Sequence, residues 1–244
     1  MDLKSTLLVT GGSACSFKLL NTIVRFLPTP EPAHKKAWKW RNIITSLVHS
    51  SLTGAWAVLC LYHQPHMLED LISSHSLFSH RLVAVSTGYF INDFLDLALN
   101  QSIRQSWEVL LHHSTVINAT PVCVCVCVCV CSRLYLGLAV VSLLMEINSV
   151  FLHIRQLLLL SAPHPSVTYS VTSWLNLGTF LVFRVCTTGW MIHWLATHSE
   201  LVPRYVLMMG TVGLSLISTM NMVLCYRLLR ADILTSTDNT GKNH

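Results

Sequence analysis

Apolar residues run along this chain in long blocks separated by short polar breaks. Thr6–Leu27 is the first block, interrupted in its second half by Lys18, Asn21 and Arg25. Ile43–Tyr62, Leu82–Asn100, a segment around Trp107–Val116, Leu134–Leu160, Thr172–Ala196 and Tyr205–Tyr226 follow. A helix rising about 1.5 Å per residue needs about 20 apolar residues to cross a hydrocarbon core of about 30 Å. The blocks therefore predict an all-α bundle of six to seven transmembrane helices, the number depending on whether the first one crosses. No A-x-A cleavage site follows that segment, which favours an imperfect span over a signal peptide. LPTPEP at Leu27–Pro32 breaks the helix because proline lacks an amide donor and constrains the residue before it. His63–Arg81 reads as a polar loop, and SAPHPS at Ser161–Ser166 as a turn.

Polar positions inside the blocks carry the rest of the pattern. Tyr89, Asp93, Asp96 and Asn100 recur at i, i+4, i+7 and i+11, one stripe of a helix. Two carboxylates at mid-bilayer cost about 5–7 kcal/mol together, so the stripe should face the bundle, with Asp93 deeper and Asp96 and Asn100 nearer the headgroups. His49 sits among Ser46, Ser50, Ser51 and Gly54, residues that let helices approach closely. Glu146 lies near the centre of Leu134–Leu160, with Ser142, Ser149 and His153 on its side and Asn148 adjacent. Arg155 either reaches the membrane edge or pairs inward with an acid. WEVLLHHSTV holds the densest titratable group: Glu108 and His112 share a face, and His113 is turned about 100° away. Asp93 and the histidine pair fall at matching depth on consecutive spans, which predicts a direct or water-bridged hydrogen bond between Asp93 and a ring nitrogen of His112 or His113. The competing reading makes both histidines interhelical donors without chemistry.

Composition narrows the class. Of 244 residues, 52% are hydrophobic and 11% charged, against about 25% charged in soluble domains. A mean hydropathy of +0.53 leaves no polar skin for a soluble fold. The net charge of +5 comes from basic residues beside apolar blocks, not from a stripe that would bind nucleic acid. Lys35, Lys36, Lys39 and Arg41, interleaved with Trp38 and Trp40, form an interfacial anchor. Seven spans with an outside N-terminus place eight Lys and Arg in cytosolic segments against four outside, the bias that orients membrane proteins. Residues 1–37 then form an apolar segment with a basic linker, 38–230 the transmembrane domain, and 231–244 a short cytosolic tail.

Five of the nine cysteines lie in Val122–Cys131, five Val-Cys repeats. A period of two fits neither one helix face nor a lipid-exposed strand. Repeated GT dinucleotides read as GTG and TGT give this run, which points to a translated microsatellite. No Cys or His spacing suits zinc or a disulfide framework, so no metal and no cofactor are expected.

With these residues in place, the chain resembles the TLC domain family, which includes ceramide synthases and the translocating-chain-associated membrane protein. The resemblance is carried by WKWRN at Trp38–Asn42, GYFINDFLDL at Gly88–Leu97, WEVLLHH at Trp107–His113 and LLMEINSVFLHIR at Leu143–Arg155. LPTPEP and SVTSW at Ser170–Trp174 bring it nearest a small vertebrate subgroup. The synthases would imply acyl transfer at His112 and His113 with Asp93 assisting, and acyl-CoA as substrate. Where they carry a second His-Asp motif this chain has Met145, Glu146, Ile147 and Asn148, a departure that argues against ceramide synthesis. The small subgroup implies instead a plasma-membrane protein, with the endoplasmic reticulum as alternative. It would limit polyunsaturated acyl chains in phospholipids and so set fluidity, its partners being membrane phospholipids or acyl chains. On that reading His49, Tyr89, Asp96, Glu108, Glu146, Asn148 and Arg155 form a lipid-binding or structural polar core.

Overall fold

The computed structural model describes residues 2–100, 134–161 and 166–240, with side chains as far as Ala231. Glu108, His112, His113 and the Val-Cys run lie outside the described residues. Helix α1 covers Leu3–Val24, opened by Asp2, whose carboxylate accepts from the Ser5 amide at 3.2 Å. Such caps satisfy amides that a helix start leaves without partners. A 3-10 turn over Glu31–Lys36, entered through Pro30 and Pro32, leads into α2, Ala37–His63. Helix α3 covers Leu77–Asn100, α4 Leu136–Leu143, α5 Glu146–Ser161 and α6 Val167–Phe180. A π-helical turn, Leu181–Cys186, joins α6 to α7, Thr187–Thr197, and α8 runs from Arg204 to Thr240.

Six stretches of described residues are long and apolar enough to cross a membrane: Leu3–Val24, Glu31–His63, Leu77–Asn100, Leu136–Ser161, Val167–Thr197 and Arg204–Ala231. No strand occurs among the described residues. The protein is an all-α, multi-pass membrane protein, as its hydropathy requires: in lipid, a helix satisfies its own backbone. Large apolar side chains such as Leu8 and Trp174 are about three-quarters exposed on the bundle's outer surface, where lipid rather than water would solvate them.

Several boundaries differ from those read in the sequence, α2 starting at Ala37 rather than Ile43 and α6 at Val167 rather than Thr172. Helix α3 starts at Leu77 rather than Leu82 because Ser76 and Ser79 cap each other, each amide donating to the other's hydroxyl at 3.0–3.1 Å. Leu134–Leu160 is not one continuous helix. It breaks at Leu144–Met145, where both amides turn to carbonyls three residues back, at 3.1 and 3.2 Å. Ser142 donates back to the Ala139 carbonyl at 2.7 Å, a contact that bends helices. Helix α8 continues past Tyr226 and through part of the expected tail.

Helix α2 is the hub, packing on α1, α3, α4 and α5; α3 packs most extensively on α1, and α5 joins α2 to α6. Gly88 permits the closest approach. A Cβ there would stand 2.7 Å from Ser13 Cβ and 2.9 Å from the Ala14 amide, and would collide with the Thr10 carbonyl oxygen. The first apolar block is thus a built-in wall of the bundle. Ser13 donates to the Val85 carbonyl at 2.6 Å, and Thr6 bonds His80 at 3.1 Å.

Candidate functional site: a polar ladder and an arginine-lined cavity

Helices α2 and α3 run antiparallel and face each other through four hydrogen bonds. Trp38 Nε1 donates to Asp96 at 3.1 Å, and Asn42 Nδ2 to Asp93 at 2.6 Å. The Tyr89 hydroxyl donates to Ser46 at 2.9 Å, and His49 Nε2 bonds Ser86 at 3.1 Å. The α2 residues step by four, four and three, and the α3 residues by three, four and three, so both sets stay on one stripe. His49 stacks on Tyr89 with ring centroids 3.7 Å apart, and Phe17 and Phe90 meet them edge-on. The bonds satisfy polar groups whose burial would otherwise cost about 1–3 kcal/mol each.

At one end of the ladder Asp96 also accepts from Asn21 and Asn100, each at 3.3 Å, and lies 3.6 Å from the Lys18 ammonium. At the other end Ser50 donates to Glu146 at 2.6 Å, tying α2 to α5. Gly54, one turn further along α2, brings this junction close, since a Cβ there would touch Ile147 at 3.2 Å.

A second polar cluster is centred on Arg184 in the π-helical turn. Its Nε donates to Asn148 at 2.7 Å, its Nη2 to Ser149 at 2.9 Å and its Nη1 to Asn221 at 3.2 Å. Asn148 in turn donates to the Asn176 carbonyl and side chain at 2.9 and 3.0 Å and to Thr179 at 3.1 Å. Asn221 donates to Thr188 at 3.2 Å. One guanidinium so links α5 to α8, and Asn148 links α5 to α6. Nearby, Arg155 donates to Ser173 at 2.8 Å and lies 5.2 Å over the Tyr169 ring.

Between the ladder and this cluster lies a partly open cavity of about 130 Å³, with Ser86, Glu146, Arg184 and Asn221 among its polar lining. Val83, Phe90, Leu143, Ile217 and Met220 supply apolar walls from α3, α4 and α8. Polar groups converging in an apolar hollow are the usual form of a small-ligand site.

The structure brings His49, Tyr89, Asp93 and Asp96 together on the ladder and joins Glu146 to it through Ser50. It puts Asn148 and Arg155 elsewhere, on the α5–α6 side. Asp96 is buried because α1 and α2 both reach it with donors. Arg155 is buried, donating to Ser173 and lying over the Tyr169 ring. The expected Asp93–histidine bond lies outside the described residues. Arg184, Trp38, Asn42, Asn176 and Asn221 were not singled out from the sequence as site residues. A signal existed: Arg184 is the only Asp, Glu, Lys or Arg in Thr172–Ala196, and such groups inside a span mark function or pairing.

A bundle of apolar helices with acids, amides and a guanidinium paired in its interior is a multi-pass helical membrane protein with an enclosed polar core. Residues 39–230 match the TLC domain, and the chain belongs to that family. It is 50% identical to TLC domain-containing protein 2 of Danio rerio, over 97% of this chain and 94% of that relative. The same-named human protein is 42% identical, over 94% of this chain and 85% of the relative. TLC domain-containing protein 1 of Gallus gallus is 34% identical, over 93% and 88%. No solved structure matches the chain.

Proposed function

We propose that this protein regulates the phospholipid composition of the plasma membrane, limiting the incorporation of polyunsaturated acyl chains. Its ligands on this reading are membrane phospholipids or their acyl chains, and no cofactor is called for. The observation that carries it is the cavity between α3, α4 and α8, apolar-walled and polar at Glu146, Arg184 and Asn221, within spans that lipid surrounds. Family membership supports the same reading. Asn148 falls in the stretch that departs from the synthases, and its amide is engaged with Asn176, Thr179 and Arg184. It therefore serves as a packing lock, which favours regulation over ceramide-type acyl transfer.

The test is lipidomics of plasma membranes from cells with and without the protein. The polyunsaturated share of phospholipid chains should fall with expression. Thr87→Phe, which fills the cavity from α3, should abolish that fall. An unchanged share would refute the reading. Loss of the effect in His112→Ala with His113→Ala, accompanied by measurable acyl transfer in the parent, would replace it with an acyltransferase.

A further inference from the structure

We propose that Arg184 receives the carboxylate of a fatty acid whose first methylenes lie in the cavity beside it and whose remaining chain leaves through the cavity's open side. This rests on the reading that the cavity takes lipid, and goes further by naming the group recognised. Four observations converge on it.

Arg184 lies about 20 Å or more along the helix axis from either end of Val167–Thr197, at about 1.5 Å per residue. Its charge is therefore deep in the bilayer, where a cation is expensive, and Glu146, which faces it across the same cavity, offsets that charge only from beyond 4.0 Å. The three acceptors it reaches, Asn148, Ser149 and Asn221, are all neutral. Among the described residues the ion pair within 4.0 Å is Lys18–Asp96, so no carboxylate touches the guanidinium. Glu146 lines the same cavity, but its Oε2 is held by Ser50 from the α2 side. A guanidinium carries five N–H groups, and the three bonds leave two of them for a ligand.

Backbone geometry adds to this. Arg184 sits within the π-helical turn Leu181–Cys186, and such turns recur at functional positions because they give up regular bonding to redirect side chains. The turn faces the cavity with Arg184, while the walls opposite are the apolar side chains of α3 and α8. An anion at the guanidinium with a hydrocarbon tail along those walls satisfies both surfaces at once. Both a carboxylate and a phosphodiester can take the planar fork of arginine two bonds at a time. The carboxylate is favoured because it brings no glycerol or second polar end to mid-bilayer depth.

The experiment uses the full chain purified in detergent micelles, at a pH where the acid is ionised. The probes are the fluorescent fatty acid cis-parinaric acid and its methyl ester, and a lysophosphatidic acid serves as competitor. The acid should bind at least about tenfold tighter than the ester, the factor expected for a hydrogen bond to a charged group. Arg184→Gln should remove that preference and leave ester binding in place. Thr87→Phe, which leaves Arg184 and its partners intact, should weaken both probes. Equal binding of acid and ester to the parent protein would overturn the inference while leaving the lipid cavity standing. That comparison needs no variant, so it decides even if Arg184→Gln fails to fold. Persistence of acid preference in folded Arg184→Gln would overturn the inference too. Displacement of the acid by lysophosphatidic acid at lower concentration than by unlabelled acid would assign the site to phosphate and overturn the carboxylate. Absence of binding by either probe would remove both this inference and the lipid-cavity reading.

Discussion

Gly88→Ala is a one-carbon change with a cost that can be worked from the contact it creates. The new Cβ would sit 2.7 Å from Ser13 Cβ and 2.9 Å from the Ala14 amide, and against the Thr10 carbonyl. Carbon atoms rest about 3.5–4.0 Å apart, so α1 and α3 must part by about 1 Å. Two of the three contacts are backbone atoms of α1, which no rotamer change relieves. Parting would break the 2.6 Å bond from Ser13 to Val85 and loosen the Thr6–His80 contact at 3.1 Å. Each bond is worth about 1 kcal/mol, and overpacking adds about 1–3 kcal/mol. The gain in helix propensity, about 1 kcal/mol, offsets only part. A net loss of about 2–4 kcal/mol is expected, a large share of a typical stability of about 5–15 kcal/mol. Gly12→Ala is the matched control: its Cβ meets nothing within 4 Å among the described residues. Thermal unfolding of the purified protein in micelles, with steady-state levels in membranes, measures both. Equal stability of Gly88→Ala and the parent, or an equal loss in Gly12→Ala, would refute the packing argument.

Further outcomes follow from the same geometry. Glu146→Gln keeps an acceptor for the Ser50 hydroxyl at 2.6 Å and should express normally. Glu146→Leu strands that donor at about 1–3 kcal/mol and should lower expression; equal levels would show that the Ser50 contact contributes nothing. Asn42→Leu removes the 2.6 Å donor from buried Asp93 and should destabilise by about 1.5–3 kcal/mol, with Asp93→Asn in the same chain restoring part of the loss; a failure of that rescue would sink the pairing. Trp38→Phe takes one donor from Asp96 while Asn21, Asn100 and Lys18 remain, so its melting point should fall by less than that of Asn42→Leu. In the loop before α3, the Ser73 hydroxyl and amide and the Ile72 amide bond Asp70 and hold its carboxyl below the usual carboxylate range. That order is present above the ordinary Asp value of about 4 and is lost as pH falls through the lower folded value. The protection of the Ile72 and Ser73 amides, taken as the unprotected exchange rate divided by the observed rate at the same pH, should therefore fall in acid, and Asp70→Asn should make that protection insensitive to pH.

The sequence by itself determined the class of this protein. Apolar blocks of spanning length admit only helices in lipid, since each backbone amide must find its partner within its own segment. It also determined that the Tyr89–Asp93–Asp96 stripe faces inward, because helical periodicity and the cost of buried carboxylates leave no other side. WKWRN and GYFINDFLDL were legible as motifs, and their side chains prove to be partners of each other, Trp38 with Asp96 and Asn42 with Asp93. That pairing was beyond the sequence, because a stripe states which side of a helix is polar and not which neighbour meets it. Lys18 and Asn21 read as flaws in the first span until the tertiary structure turned them onto Asp96. The break at Leu144–Met145 and the role of Arg184 were equally hidden. A back-bonding serine and a π-helical turn leave little local mark in composition, and a guanidinium's partners come from helices distant in the chain. What tertiary structure decided was therefore register and depth: which polar group on one helix lies level with which on the next, and where that matching leaves a cavity.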